Sequence, residues 1–227
     1  MKNKQLILLV AICIGFVTSG FSQHRRYDIK NGVGISGAIT RFDIVTDNFI
    51  TKQENGFLGG LIATVDIPNR WYNMSFGMQL SENHFSIAAR PTALSTQDEF
   101  IEYKLFTSQI ALLGHIKIID KYLTIDGGPM LQYNSKLELK DKSKEGYFIN
   151  NYDAVTAKDI TDISRFNVNG AIGVSGGYGF FRLKAQYIYG FANILNKLNS
   201  QDIDTTGHDG SFKGHQSMLA LGAMFVF

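Results

Sequence analysis

The chain has 227 residues, 44% of them hydrophobic, with a formal net charge of +2 at pH 7 and a single cysteine. The balanced charge gives no reason to expect a nucleic-acid partner, and one cysteine forms neither an internal disulfide nor a thiolate metal site. Beyond the N-terminus, no apolar run is long enough for a membrane-spanning helix. With 17 phenylalanines and 10 tyrosines, the composition favours a β-sheet protein.

The N-terminus has the pattern of a secretory signal. Two lysines precede an apolar run over residues 6–17, and a small-x-small cleavage pattern ends at Ser22. The run is too short to span a bilayer comfortably, which disfavours an uncleaved anchor. We therefore predict a signal peptide over residues 1–22, which removes the only cysteine, and a barrel domain over residues 23–227.

Eight segments of the remaining chain alternate between apolar and polar residues, which is the pattern of strands. In the third segment, for example, Met74, Phe76 and Met78 alternate with small or polar residues. The segments span about 31–42, 56–67, 71–88, 102–118, 122–138, 164–176, 180–191 and 214–227. Charges fall on the side opposite the apolar residues, as in a barrel with lipid outside. The sequence predicts an all-β fold, an eight-stranded antiparallel transmembrane β-barrel with an up-and-down meander.

Connections between the segments alternate in length. Short turns are predicted near 68–70, 119–121 and 177–179, and long polar loops near 43–55, 89–101, 134–163 and 192–213. Outer-membrane barrels have short periplasmic turns and longer external loops, so both termini are expected in the periplasm. A soluble β-sandwich is the alternative fold, and the long strands disfavour it. Proline cannot donate to a strand ladder, so Pro129 predicts a bulge in the fifth strand.

Aromatic residues cluster beside the short turns and again further along the strands, which predicts two girdles at the lipid interfaces. The first set contains Trp71, Tyr72, Tyr122, Tyr178, Phe180, Phe181 and Phe227, and the second Phe57, Phe106, Tyr133, Tyr187 and Tyr189. A terminal strand that ends in an aromatic residue is typical of outer-membrane barrels. We predict that Phe227 is an assembly signal for the barrel assembly machinery, and that outer-membrane lipid surrounds the barrel.

Three stretches resemble the PorT-like outer-membrane β-barrel family of Bacteroidetes over nearly the whole mature chain, in order. They are Glu102-Tyr103-Lys104-Leu105 with 109–113, Asp126-Gly127-Gly128-Pro129, and the stretch from Gln186 to Ile194. The resemblance implies an eight-stranded barrel in the outer membrane and a role near type IX secretion, which involves one member of the family. It implies no catalytic residue.

Polar residues of the strands are expected inside the barrel. We predict an interior polar cluster of His115, Lys117, Asp126, Arg182 and Lys184. The same side of the strands carries Asp66, Gln79, Gln109 and Gln132. An eight-stranded barrel is just wide enough for side chains to fill it, and buried charges require partners. A polar plug of ion pairs is therefore expected, with a narrow ion path as the alternative.

Two candidate chemical sites remain weak. His115 has no serine and aspartate assigned to it by sequence. Four residues of the last external loop, Asp204, His208, Asp209 and His215, have types that could hold a divalent cation or form a hydrolytic pair. A solvated loop is the simpler interpretation, and the chain has no G-x-S-x-G, H-E-x-x-H or phosphate-loop motif. We predict no catalytic, cofactor-binding or metal-binding residue, and no enzymatic activity.

The long loop over 134–163 combines mixed charges with an aromatic end at Tyr147, Phe148 and Tyr152. Mixed charge is typical of a solvated surface, whereas exposed aromatic residues anchor interfaces. We therefore keep a partner-binding tip as an alternative. The leading hypothesis is a structural or interaction protein, accessory to secretion or envelope assembly. A small pore or solute-binding barrel comes second, and a membrane enzyme that uses the last loop comes third.

Overall fold

A computed structural model describes residues 30–66, 70–95, 97–119, 122–205 and 211–227. The predicted signal peptide lies outside the described residues. The strands are β1 (Lys30–Val45), β2 (Thr51–Asp66), β3 (Tyr72–Arg90), β4 (Glu99–Ile119), β5 (Leu123–Asn134), β6 (Glu138–Leu139), β7 (Phe148–Ile149), β8 (Phe166–Tyr178), β9 (Phe181–Gly190) and β10 (His215–Val226). Short 3₁₀ turns cover Lys142–Lys144, Asp159–Thr161 and Asn196–Ser200. Within the described ranges, no helix is long and apolar enough to cross a membrane.

Eight strands form a closed antiparallel ring in the order β1-β2-β3-β4-β5-β8-β9-β10. The first and last strands close it through a continuous register from Gly34↔Val226 to Val45↔His215. The two-residue strands β6 and β7 pair with the outer ends of β4 and β3. The predicted eight-stranded up-and-down barrel is therefore confirmed.

Strand ends differ from the prediction on the long-loop side, which we call external by the rule for outer-membrane barrels. β1 continues to Val45 and β2 begins at Thr51, so the first external loop is much shorter than the predicted 43–55. The fifth strand ends at Asn134, not near residue 138.

On the periplasmic side, Gly179 makes the tight turn between β8 and β9. Its φ is 61°, a left-handed conformation that glycine adopts at little cost.

The predicted bulge at Pro129 is absent. Pairing of β5 with β8 continues in register through Gly128↔Ala171 and Pro129↔Gly170. On the other side, the ladder to β4 omits Gly128 and Pro129 but resumes with unchanged register. The strand accommodates Pro129, which has no backbone N–H, because Gly128 and Pro129 are left unpaired in the ladder to β4.

The wall of the barrel carries an apolar belt on its outer face. Met74, Phe76, Met78 and Leu80 of β3 are 41%, 46%, 56% and 55% exposed. Most of the predicted girdle residues are exposed at the two ends of the belt: Trp71, Tyr122, Tyr178, Phe180, Phe181 and Phe227 near the short turns, and Phe57, Phe106, Tyr133 and Tyr187 on the external side. Phe166, which was not predicted, joins the external set, whereas Tyr72 and Tyr189 are half-buried. This surface matches the lipid contact of a transmembrane barrel.

Beyond the external aromatic girdle the polarity of the strands inverts. On β3 the buried inward residues become apolar, with Phe85 and Ile87 at 0% and 1% exposure. The outward residues there are Glu82 and His84. β3 and β4 have 19 and 21 residues, whereas β9 has 10, and a tilted strand needs about 9–11 residues to cross the hydrocarbon. The long strands therefore continue past the membrane.

Candidate functional site

The lumen beside the short turns contains a chain of hydrogen bonds that crosses from β3 to β9. Its members are all inward-facing polar side chains: Ser75, His115, Asp126, Thr124, Ser175 and Arg182. The links between the first five measure 2.7–2.8 Å. Polar groups at this depth require such partners, because an unpaired buried charge is costly.

His115 lies at the centre of this chain. Its Nδ1 is 2.7 Å from Asp126 Oδ1, and its Nε2 is 2.7 Å from Ser75 Oγ. A carboxylate only accepts hydrogen bonds, so Nδ1 carries a proton and donates a hydrogen bond to Asp126. In the neutral imidazole, which carries a single ring proton, Nε2 is then the acceptor for the Ser75 hydroxyl. Sequence reasoning placed His115 and Asp126 inside the barrel but missed Ser75, because the three residues lie on three strands and only their register brings them together.

The other predicted cluster residues also face the lumen. Arg182 donates to Ser175 O at 3.2 Å and to Thr124 Oγ1 at 3.4 Å. Lys117 is half-buried, two residues from His115 on the same face of β4. Lys184 lines a small cavity in the lumen together with Gln79 and Gln186. The side chain of Asp66, which was expected here, lies outside the described residues.

A second layer of buried amides and hydroxyls lies between this chain and the external end. Gln132 on β5 and Gln216 on β10 exchange two hydrogen bonds, of 2.6 and 2.9 Å. These strands are not neighbours in the ring, so the pair bridges the lumen. Thr40 donates to Asn83 at 3.2 Å across the intervening strand β2. Such cross-lumen contacts fill the interior at the depth of the lipid belt.

The external end carries a folded unit that we call the head: the outer ends of β1 to β4 together with residues 46–50, 91–95, 135–165, 191–205 and 211–214. Its interior is an apolar core. Phe85 stacks on Tyr103 with ring centroids 5.7 Å apart and contacts Phe42 at 5.8 Å. This arrangement, with charges outside and apolar residues inside, is that of a water-soluble protein.

The two long loops of the head fold over the barrel end and pack into this core. Tyr152 is 1% exposed, and Phe212 stacks on it at 5.7 Å. Tyr103 donates from its hydroxyl to Ala157 O at 3.0 Å. The exposed aromatic end on which the alternative of a partner-binding tip rested is absent, because Tyr152 is buried and Tyr147 and Phe148 are half-buried. Apolar packing across the barrel mouth outweighs the exposure that the charged loop sequence indicated.

The outer wall of the head carries a network of ion pairs. Lys104 Nζ is 2.8 Å from Glu82, and His84 lies 3.2 Å from Glu82 and 2.9 Å from Glu102. Lys140 reaches Glu102 at 2.8 Å. Burial by itself would raise the pKa of Glu102, but hydrogen bonds from Lys140 and His84 outweigh it and hold that pKa below its usual value. The network joins β3, β4 and the loop after β6.

The Asp and His residues of the last loop form no site in the part of the chain that the structure describes. His215 Nδ1 is 2.9 Å from Gly190 O, and the ring stacks on Tyr189 at 5.8 Å. His208 and Asp209 lie outside the described residues. Among the described residues, no group of three His, Cys, Asp or Glu side chains is arranged to hold a metal ion.

Phe227 ends the barrel seam at the periplasmic girdle. Its backbone N–H donates to Val33 O at 2.9 Å, and Val33 N–H donates to Phe227 O at 3.2 Å. The ring is 78% exposed on the lipid side. Its role as an assembly signal stays a prediction.

Comparison with known proteins finds similarity only among solved structures. The sequence matches no protein-family model, and no curated protein matches it. Neisserial surface protein A is 12% identical, covering 86% of this chain and 97% of that chain with a TM-score of 0.49. The attachment invasion locus protein Ail of Yersinia pestis is 13% identical, covering 87% and 99% with a TM-score of 0.43. Similarity at this level assigns neither a family nor a function.

Proposed function

We propose that this protein is an outer-membrane barrel that holds a rigid interaction head outside the cell. The inversion of polarity along β3 and β4 carries the proposal. A barrel needed only as an anchor has no use for strands that continue past the lipid and enclose an apolar core. Loops closed by such a core present a fixed surface, and a fixed surface loses little conformational freedom when a partner binds.

The filled lumen favours this function over a pore. Gln132 and Gln216 bond to each other across the barrel, and the head core lies above them. Eight-stranded barrels leave little interior space once side chains fill them. An ion crossing this lumen would have to displace both the amide bridge and the packed head.

The partner that we propose is a protein of the secretion or envelope-assembly machinery. The resemblance of 102–105, 126–129 and 186–194 to PorT-like barrels supports this class of partner and a Bacteroidetes-type envelope. We further propose that residues 1–22 are cleaved on export and that the terminal strand, ending at Phe227, is recognised by the barrel assembly machinery.

Site-specific photo-crosslinking in intact cells tests the head as the interaction surface. A benzophenone amino acid would replace Leu94 or Phe100, which are 95% and 46% exposed on the head, or Phe76, which is 46% exposed in the lipid belt. We expect discrete protein adducts from the head positions and none from Phe76, with mass spectrometry to identify the partner. Adducts from Phe76 alone, or none from either head position, would contradict an interaction head.

Matched surface variants then locate the contact. Replacing Glu102 with Gln, or Lys104 with Gln, changes the outward network without touching the lumen or the belt. The yield of crosslinked adduct should fall if the partner contacts these charged side chains. If the head positions crosslink to other proteins but to none of the secretion or envelope-assembly machinery, the interaction role stands and the proposed class of partner is wrong.

A further inference from the structure

Three side chains near the periplasmic end of the lumen have the relative arrangement of a serine nucleophile, its base and the group that orients the base. Ser75 Oγ and His115 Nε2 are 2.7 Å apart, as are His115 Nδ1 and Asp126 Oδ1. Thr124 donates a further bond of 2.7 Å to Asp126 Oδ1. Both contacts of the imidazole lie within the range for proton transfer between a nucleophile and its base.

All three residues of the trio are buried, with Ser75 at 3% exposure, and His115 is the most accessible of them. The Asp126 side chain is 0% exposed, whereas 10% of the His115 side chain remains accessible. The carboxylate is thus fixed inside the wall, and the imidazole still reaches the lumen. Asp126 Oδ2 is buried and has no hydrogen-bond partner among the described residues, as is also the case for amide atoms of Gln79 and Gln109.

The trio also lies close to the periplasmic rim. Ser75 and Asp126 are each the fourth residue of their strands, and a strand rises about 3.3 Å per residue, which puts them about 10 Å along the strand from its start. Lys117 follows His115 by two residues on the same inward face, on the rim side. Lys117 therefore adds a basic side chain on the rim side of the trio.

We propose that Ser75 is a nucleophile activated by His115 and that the barrel hydrolyses small carboxylic esters from the periplasmic side. The Ser75 hydroxyl proton passes to His115 Nε2 as Oγ bonds to the ester carbonyl carbon. The carbon–oxygen bond to the alcohol breaks, and the alcohol leaves with the proton from Nε2. Water then attacks the acyl-serine through the same base, releases the carboxylic acid and restores Ser75. Asp126 is a positioning residue that holds the imidazole tautomer.

The width of the barrel limits the substrate. An eight-stranded barrel has room for side chains or one small ligand, and the amide layer closes this lumen towards the external end. This width limits the proposed substrate to a slender ester with an unbranched acyl group and excludes a folded protein or a branched sugar. This activity is independent of the head and of its partner.

Labelling with a fluorophosphonate probe tests the proposal on the full-length protein in mild detergent. The probe phosphonylates an activated serine, and peptide mass spectrometry reports which serine reacts. We expect adduct on Ser75, and none on Ser81, a buried serine whose hydroxyl is 2.6 Å from Thr107 and has no histidine partner. His115→Gln should lower the labelling rate about 10²–10⁴-fold, the usual contribution of a general base. Hydrolysis of p-nitrophenyl acetate should fall in parallel.

Further variants separate chemistry from folding. Heat-dependent gel mobility shows whether each variant has formed its barrel. If Ser75→Ala does not assemble, peptide mass spectrometry of the labelled wild-type protein still shows whether Ser75 is the serine that reacts. Asp126→Asn should slow labelling, and Asp126→Glu should restore part of the rate. A folded wild-type protein with no adduct on Ser75, or labelling unchanged in folded His115→Gln, would overturn the proposal.

Discussion

Replacement of Phe85 by alanine tests whether the head has a true apolar core. The ring is 0% exposed and contacts Tyr103 and Phe42 at centroid distances of 5.7 and 5.8 Å. Removing a buried phenylalanine ring loses its transfer free energy and leaves a cavity, for a total of about 3–5 kcal/mol. Loss of two aromatic contacts places the expected cost in the upper half of that range, because each such pair adds about 0.5–1.5 kcal/mol.

Phe76 on the same strand provides the matched control. Its ring is 46% exposed on the lipid face, so lipid occupies the space when the ring is removed and no cavity remains. We expect a cost of at most about 1.5–3 kcal/mol, the value of the apolar transfer alone. Urea unfolding of both variants in lipid vesicles measures the difference. A loss for Phe85→Ala no larger than that for Phe76→Ala would refute a packed core above the membrane.

Three further predictions address the membrane boundary, the head network and the lumen. Met78→Lys should destabilise the barrel by about 2–4 kcal/mol, and His84→Lys by about 0–1 kcal/mol, as measured by the same unfolding assay. Equal losses of stability would contradict an outer edge of the belt between Met78 and His84. A hydrogen bond from Lys197 lowers the pKa of Asp162, so its stabilisation is present above the unfolded pKa, about 3.9, and is lost as pH falls through the folded pKa. The melting temperatures of wild type and Asp162→Asn should therefore differ at pH 7 and converge as the pH falls from about 4 through the folded pKa of Asp162; a gap that stays constant on acidification would contradict this sign. Planar bilayer recording of the wild type should show no conductance steps, and steps that vary with substitution of Lys117 would restore the pore hypothesis.

Much of the head could have been predicted from the sequence. Apolar residues of β3 occupy even positions from Met74 to Leu80 and odd positions from Phe85 to Ala89. The opposite change occurs along β4, where Ile101 to Leu105 precede Ile110 and Leu112. A change of phase without a bulge means that the apolar face moves from the outside of the barrel to the inside. That signal marks the outer edge of the membrane in both strands.

The long loops could not be predicted in the same way. Their mixed charges indicated a solvated tip, but Tyr152 and Phe212 pack on Phe49 in the head core, at 6.0 and 5.8 Å. These three residues come from three different loops. Their contact depends on closure of the whole ring, which no local pattern reports.

The sequence by itself determined the number of strands, the lipid-facing side of each and the girdles, because alternation with period two is a local property of every strand. Only the tertiary structure decided which inward residues meet. His115 reaches Asp126 and Ser75 through the registers of β4 with β5 and β3, and Gln132 reaches Gln216 across the lumen. Inter-strand register and ring closure set these distances, and both are properties of the assembled barrel that a single strand does not contain.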